Sequence, residues 1–93
     1  MSEVVHERPV VLVSDDGERY TVVRTHARGM PYGAWEGWLE FVPDDGSAIV
    51  RSGRETTQPN LAALEYWATG LTHVYFEGAL ERALAPVPAG GHG

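Results

Sequence analysis

The sequence predicts an α+β fold: an antiparallel four-stranded β-meander followed by an amphipathic helix and a C-terminal strand-helix or helix. Three observations point to it. Short β-branched and aromatic runs occupy residues 9–51, two Asp-Asp-Gly turns punctuate them at Asp15-Asp16-Gly17 and Asp44-Asp45-Gly46, and from Asn60 onward the apolar residues change spacing. A period of two lines one face of a pleated strand and a period near 3.6 lines one stripe of a helix, so the change of period marks a change of element.

Residues 1–8 are polar and read as a frayed end. Pro9-Val10-Val11-Leu12-Val13-Ser14 is a short β-branched strand closed by the first turn, and Glu18 to His26 is rich in strand formers, so the two predict a hairpin. Asp-Gly suits the positive φ of a tight hairpin loop. Ala27 to Gly33, with two glycines and a proline, reads as a loop. In Trp35 to Val42, alternation sends Trp35, Leu39 and Phe41 to a core face and Glu36, Trp38 and Glu40 to the other. After the second turn, Ser47-Ala48-Ile49-Val50-Arg51 returns as the fourth strand.

Leu61, Leu64, Ala68 and Leu71 then follow helical spacing, with Trp67 beside the stripe and Glu65 and Thr69 pointing away. Thr57 is the expected N-cap, Pro59 is tolerated in the first turn, and Gly70 is placed to end the helix in a left-handed cap. Residues 72–84 carry two patterns. Thr72 to Phe76 has strand composition and Gly78 destabilises a helix interior by about 1 kcal/mol. The preferred reading is therefore a fifth strand near 72–77 and a helix from 79–85, the alternative being one helix over 73–84. Residues 85–93 have the composition of a flexible tail.

The 93 residues predict a single domain with its core in about 9–84. An apolar fraction of 43% and a charged fraction of 22% are those of an ordinary globular chain. There is no apolar run of the roughly 18 residues a membrane helix needs, and the acidic Met1-Ser2-Glu3 start lacks a signal-peptide core, so the expected location is cytoplasmic. Thirteen acidic against seven basic residues give a net charge of -6, which opposes binding to nucleic acid or an anionic membrane. The absence of cysteine removes disulfides and thiolate chemistry; the absence of lysine removes Schiff-base chemistry. All seven cations are arginine.

Several chemistries lack their pattern. His6, His26, His73 and His92 show no metal-ligand spacing, and neither Asp-Asp-Gly turn continues as a calcium loop, so neither metal nor cofactor is expected. Ser14, Ser47 and Ser52 sit near strand ends without a nucleophile elbow. Glu36 and Glu40, four residues apart on one strand, have α-carbons about 13 Å apart, too far for two carboxylates flanking one bond.

What remains is the run from Arg51 to Asn60, which contains no large apolar side chain. Arg51, Arg54, Glu55 and Thr56, together with Trp38 on the non-core face of its strand, are the candidate binding residues. Guanidinium forks suit carboxylates and phosphates, and the amides of a following helix start favour negative charge. The competing structural reading makes Thr57 a cap, pairs Arg54 with Glu55, and packs Trp38 beneath the C-terminal segment. The leading function is a binding or protein-protein interaction module that holds a protein partner or an anionic small ligand. The alternatives are a small enzyme using Glu55 or His73 as acid or base with Arg54 orienting an anionic substrate, and a structural subunit of a larger assembly. A homodimer formed by strand or helix pairing is also open to such a domain.

The segments Trp35-Glu36-Gly37-Trp38-Leu39-Glu40-Phe41, Gly53 to Asn60, Tyr66-Trp67-Ala68-Thr69-Gly70-Leu71 and Glu77 to Ala83 resemble small uncharacterised bacterial proteins over roughly residues 33–84. The resemblance implies a bacterial, cytosolic, stand-alone protein. It transfers no activity and no site residues.

Overall fold

The computed structural model describes residues 2–85. Its elements are β1 (Ser2–Val13), β2 (Arg19–Gly29), β3 (Trp35–Pro43), β4 (Val50–Arg51), β5 (Thr56–Gln58), α1 (Leu61–Thr69) and α2 (His73–Leu84). The strands form an antiparallel sheet in the order β1-β2-β3-β4, and β5 pairs with β3 further along the edge that β4 occupies. The predicted α+β meander with C-terminal helix is therefore the fold. Among the described residues, no helix is long and apolar enough to cross a membrane.

The turns follow their composition. Gly17 and Gly46 take φ of 88° and 79°, values that L side chains adopt only with strain, and each closes an Asp-Asp-Gly turn. Asp45 Oδ1 accepts from the Ser47 amide at 2.9 Å, an Asx turn that stops the chain after β3.

The core lies between one sheet face and the two helices. Leu12, Tyr20, Val23, Leu39 and Phe41 from the sheet pack with Phe76, Ala79 and Leu80 of α2. Leu64 and Ala68 of α1 are also buried, and Leu64 Cδ1 stands 3.2 Å from where a side chain at Gly37 would begin. Gly37 is thus the notch that lets α1 approach the sheet.

Four local expectations are corrected. First, the segment expected to fray is strand from Ser2 on: β1 begins there and pairs with β2 from the Ser2–Arg28 register onward. Arg8, opposite Val23, donates to the carbonyls of Thr69 at 3.0 Å and Ala68 at 3.3 Å, and to that of Leu71, while its guanidinium stands 5.2 Å from the Phe76 ring. A cation on the exposed carbonyls of a helix end is favourable, and here it ties β1 to the end of α1. Correspondingly, β2 runs on to Gly29 through the expected loop.

Second, the fourth strand is split. Only Val50 and Arg51 pair in β4, and the chain then arches out over Ser52 to Glu55 before Thr56–Gln58 rejoins β3. Third, because Thr57 is in β5, the cap passes to Asn60, whose Oδ1 accepts from the Ala63 amide at 2.8 Å; Gly70 ends α1 with φ -89°, a right-handed conformation. Fourth, residues 73–84 form one helix. Thr72 Oγ1 caps it on the Tyr75 amide at 3.2 Å, and Phe76, Ala79 and Leu80 bury one stripe. Val74, the residue that most suggested a strand, stays 75% exposed, so burial of the stripe outweighs both local β propensity and Gly78. The expected tail falls almost wholly on residues 86–93, outside the described residues.

Candidate functional site

The sheet face turned away from the helices is built by two complementary rows. On β2 the outward residues are Arg24, His26 and Arg28; on β3 they are Glu40, Trp38 and Glu36, each directly opposite its counterpart. Arg28 bonds Glu36 directly. His26 Nε2 and Glu40 Oε1 lie 2.6 Å apart on the diagonal, and Arg24 reaches the other way to Glu7 of β1 at 2.8 Å. The two exposed arginine pairs contribute about 0–1 kcal/mol each, and with the part-buried His26–Glu40 contact they leave no carboxylate of these two rows without a basic partner.

Trp38 sits at the centre, 5% exposed although no helix covers it. His26 stacks on one side with ring centroids 5.5 Å apart and planes 17° from parallel. The Arg51 guanidinium lies over the ring at 4.2 Å from its centroid. The expectation that the chain covers its own tryptophan is met, but by a histidine and an arginine rather than by the C-terminal segment. The burial leaves Trp38 Nε1 and His26 Nδ1 without hydrogen-bond partners among the described residues.

The arch over Ser52 to Glu55 begins one residue beyond Arg51. Its closure depends on Ser52, 5% exposed, whose amide donates to the Leu39 carbonyl at 2.9 Å. The Ser52 hydroxyl oxygen accepts from the Leu39 amide at 3.0 Å and its proton goes to the Gly53 carbonyl at 2.8 Å. A side-chain oxygen thus replaces the backbone acceptor that the interrupted strand would have offered. The Glu55 amide then donates to the Gly37 carbonyl at 2.8 Å and pairing resumes.

The five predicted site residues separate into two groups. Arg51 and Trp38 are in contact, and Arg54 is exposed on the arch, three positions after Arg51. Glu55 faces elsewhere: its side chain is 8% exposed, and Oε1 accepts from Tyr75 Oη at 2.6 Å and Arg82 Nη2 at 2.7 Å. The expected Arg54–Glu55 pair is absent among the described residues because α2 supplies both partners of the carboxylate. Burial, and then the bond to Glu55, pushes the Tyr75 hydroxyl up to about 12. Trp67 meets the Tyr75 ring edge-on at 6.1 Å, so Glu55 is part of the packing between the arch and the helices. Thr56 accepts from Gln58 Nε2 at 2.7 Å within β5. His73, exposed at the start of α2, lies 3.3 Å from Glu77, one helical turn on.

Sequence reasoning missed His26, Glu40, Tyr75 and Arg82. The first two were detectable, because Arg-x-His-x-Arg on one strand and Glu-x-Trp-x-Glu on the next are complementary once the antiparallel register is drawn. The last two lie 20 and 27 residues from Glu55 and carry no local signal.

At the turn end of the sheet, carboxylate oxygens of Glu18, Asp44 and Asp45 lie within 4.8 Å of one another. Local groups already serve them. Arg19 pairs with Asp44 at 3.5 Å, and the Ser47 donors hold the Asp45 carboxyl below its ordinary range. Desolvation, and then the charge of Asp45, pushes Glu18 up.

Comparison with protein-family models, with curated proteins and with solved structures yields no significant match.

Proposed function

We propose that this chain is a small binding module that captures an anionic group, a carboxylate or phosphate on a protein partner or small ligand, through Arg51 and Arg54. One observation carries this reading. Arg19, Arg24, Arg28 and Arg82 each pair with a carboxylate, and Arg8 is taken up by helix carbonyls. Arg51 and Arg54 have neither kind of partner among the described residues, and they stand three positions apart at the start of the arch.

The surroundings suit the role. A guanidinium stacked by its face on an indole keeps its in-plane N–H donors free and loses little further freedom when an oxyanion arrives. Trp38 is therefore read as the platform that orients Arg51, and the His26–Glu40 pair as the brace beneath the platform. Glu55, committed to Tyr75 and Arg82, fixes the far end of the arch. The overall charge of -6 repels anions at long range, so recognition rests on short-range, directional bonds rather than on steering.

The test is affinity capture from the native host with wild type and the Arg51→Ala/Arg54→Ala variant side by side. A partner that is retained by wild type and lost from the variant supports the module. Equal capture by both proteins removes the arginines from any binding role.

A further inference from the structure

A half-open groove of about 650 Å³ runs between the end of β1 with its turn and the C-terminal half of α2, away from the arginine pair. Leu80, itself buried, lies in its lining with Val13 and Leu84, which remain 62% and 43% exposed. Asp15 and Asp16 border it from the turn, and Glu77 and Glu81 from the helix. Among the described residues, no arginine or histidine lines it.

Folding alone leaves two features of this groove without a reason. Apolar side chains stay wet in a concavity, where a ligand would bury them most effectively. Glu77 and Glu81 are like charges one turn apart, an arrangement that weakens a helix rather than supporting it. Their relief within the chain is slight: His73 reaches Glu77, Ser14 bonds Asp16, and Asp15 and Glu81 have no side-chain partner among the described residues.

We propose that this groove docks a cationic amphipathic peptide segment of a partner protein. Its apolar side chains would lie against Val13, Leu80 and Leu84, and its arginines or lysines between Asp15 and Asp16 on one side and Glu77 and Glu81 on the other. Charge complementarity selects this occupant. An acidic or phosphorylated ligand is repelled by the four carboxylates and by the net charge of -6. A second copy is a weaker fit, because it has no lysine and, among the described residues, only Arg51 and Arg54 are not already held by its own carboxylates and carbonyls.

The test uses the full chain and a fluorescently labelled synthetic peptide of alternating leucine and arginine, followed by anisotropy. Wild type should bind it saturably at one site. Glu77→Gln/Glu81→Gln and, independently, Leu84→Ser should each weaken binding about tenfold, whereas Glu65→Gln on the exposed face of α1 should not change it. Thermal melts identify any variant that has lost its fold, and Val13→Ser then replaces Leu84→Ser. If the charge variants weaken binding while both apolar variants leave it intact, the peptide is sensing only the acidic surface and the proposal fails. It fails equally if wild type shows no saturable binding. Concentration-dependent self-association abolished by the same variants would assign the groove to a second copy and overturn the proposal.

Discussion

The two faces of the sheet are closed by different physics. On one face, Leu12, Tyr20, Val23, Leu39 and Phe41 are covered by α1 and α2 and held by removal of apolar area from water. On the other, Trp38 reaches nearly the same burial with no element above it, because His26 and Arg51 lie on either side of it and carboxylates hold the neighbouring cations. The comparison teaches that burial by itself does not mark a core. A core residue is replaceable by any side chain of its size and polarity, whereas a residue covered by polar side chains owes its position to groups that a ligand can recruit.

The largest test of that contrast is on the helix face. Phe41 is 0% exposed and meets Tyr20 edge-on at 6.4 Å, so Phe41→Ala should lower stability by about 3–5 kcal/mol in a denaturant titration. A loss under about 1 kcal/mol would mean that the helix face collapses around the gap.

Ser52→Ala comes next, because it strands the Leu39 amide under the arch. The expected loss is about 1–3 kcal/mol, accompanied by faster hydrogen exchange at Leu39. Unchanged exchange there would show that the arch closes without the hydroxyl. Trp38→Phe should change stability by less than about 1.5 kcal/mol, since it keeps an aromatic platform and removes a donor that has no partner. A loss typical of the Phe41 site would place Trp38 in the same category as the core.

Tyr75 provides a smaller, pH-dependent test. Its hydroxyl titrates near 12 in the fold against an ordinary value of 10, so the folded state holds the proton more tightly than the unfolded chain does. Stability from this group is fully present below about pH 10 and is lost as pH rises through about 12. Tyr75→Phe should therefore flatten the fall in melting temperature across that window. Part of the fall should persist, because burial, and then the charge of Glu18, also raises the Tyr20 hydroxyl. An identical slope in the variant would remove Tyr75 from the linkage.

Much of this fold could be read from short-range pattern. The alternation through Trp35 to Phe41, the two Asp-Asp-Gly turns and the stripe Leu61, Leu64, Ala68 all encode their element within a few residues. The failures share a cause in long-range pairing. Arg8 becomes ordered by carbonyls some sixty residues away, and Thr57 loses its cap role because β5 pairs with Trp35–Gly37. Residues 73–77 become helix because Phe76 and Leu80 have a sheet to cover. The same division runs through the site. Arg51, Arg54 and Trp38 stood out from local composition, whereas Glu55 was drawn to α2 by Tyr75 and Arg82, and His26 was invisible until the β2–β3 register was known.

The central claim is that Arg51 and Arg54 are available to a partner, and Arg54 tests it most directly because nothing described in the chain bonds to it. Capture and melting should be measured together on Arg54→Ala. The account predicts a melting temperature within about 2 °C of wild type, in keeping with a surface substitution of under about 0.5 kcal/mol, together with impaired capture. A drop of about 8 °C or more, or capture as strong as wild type, would contradict it.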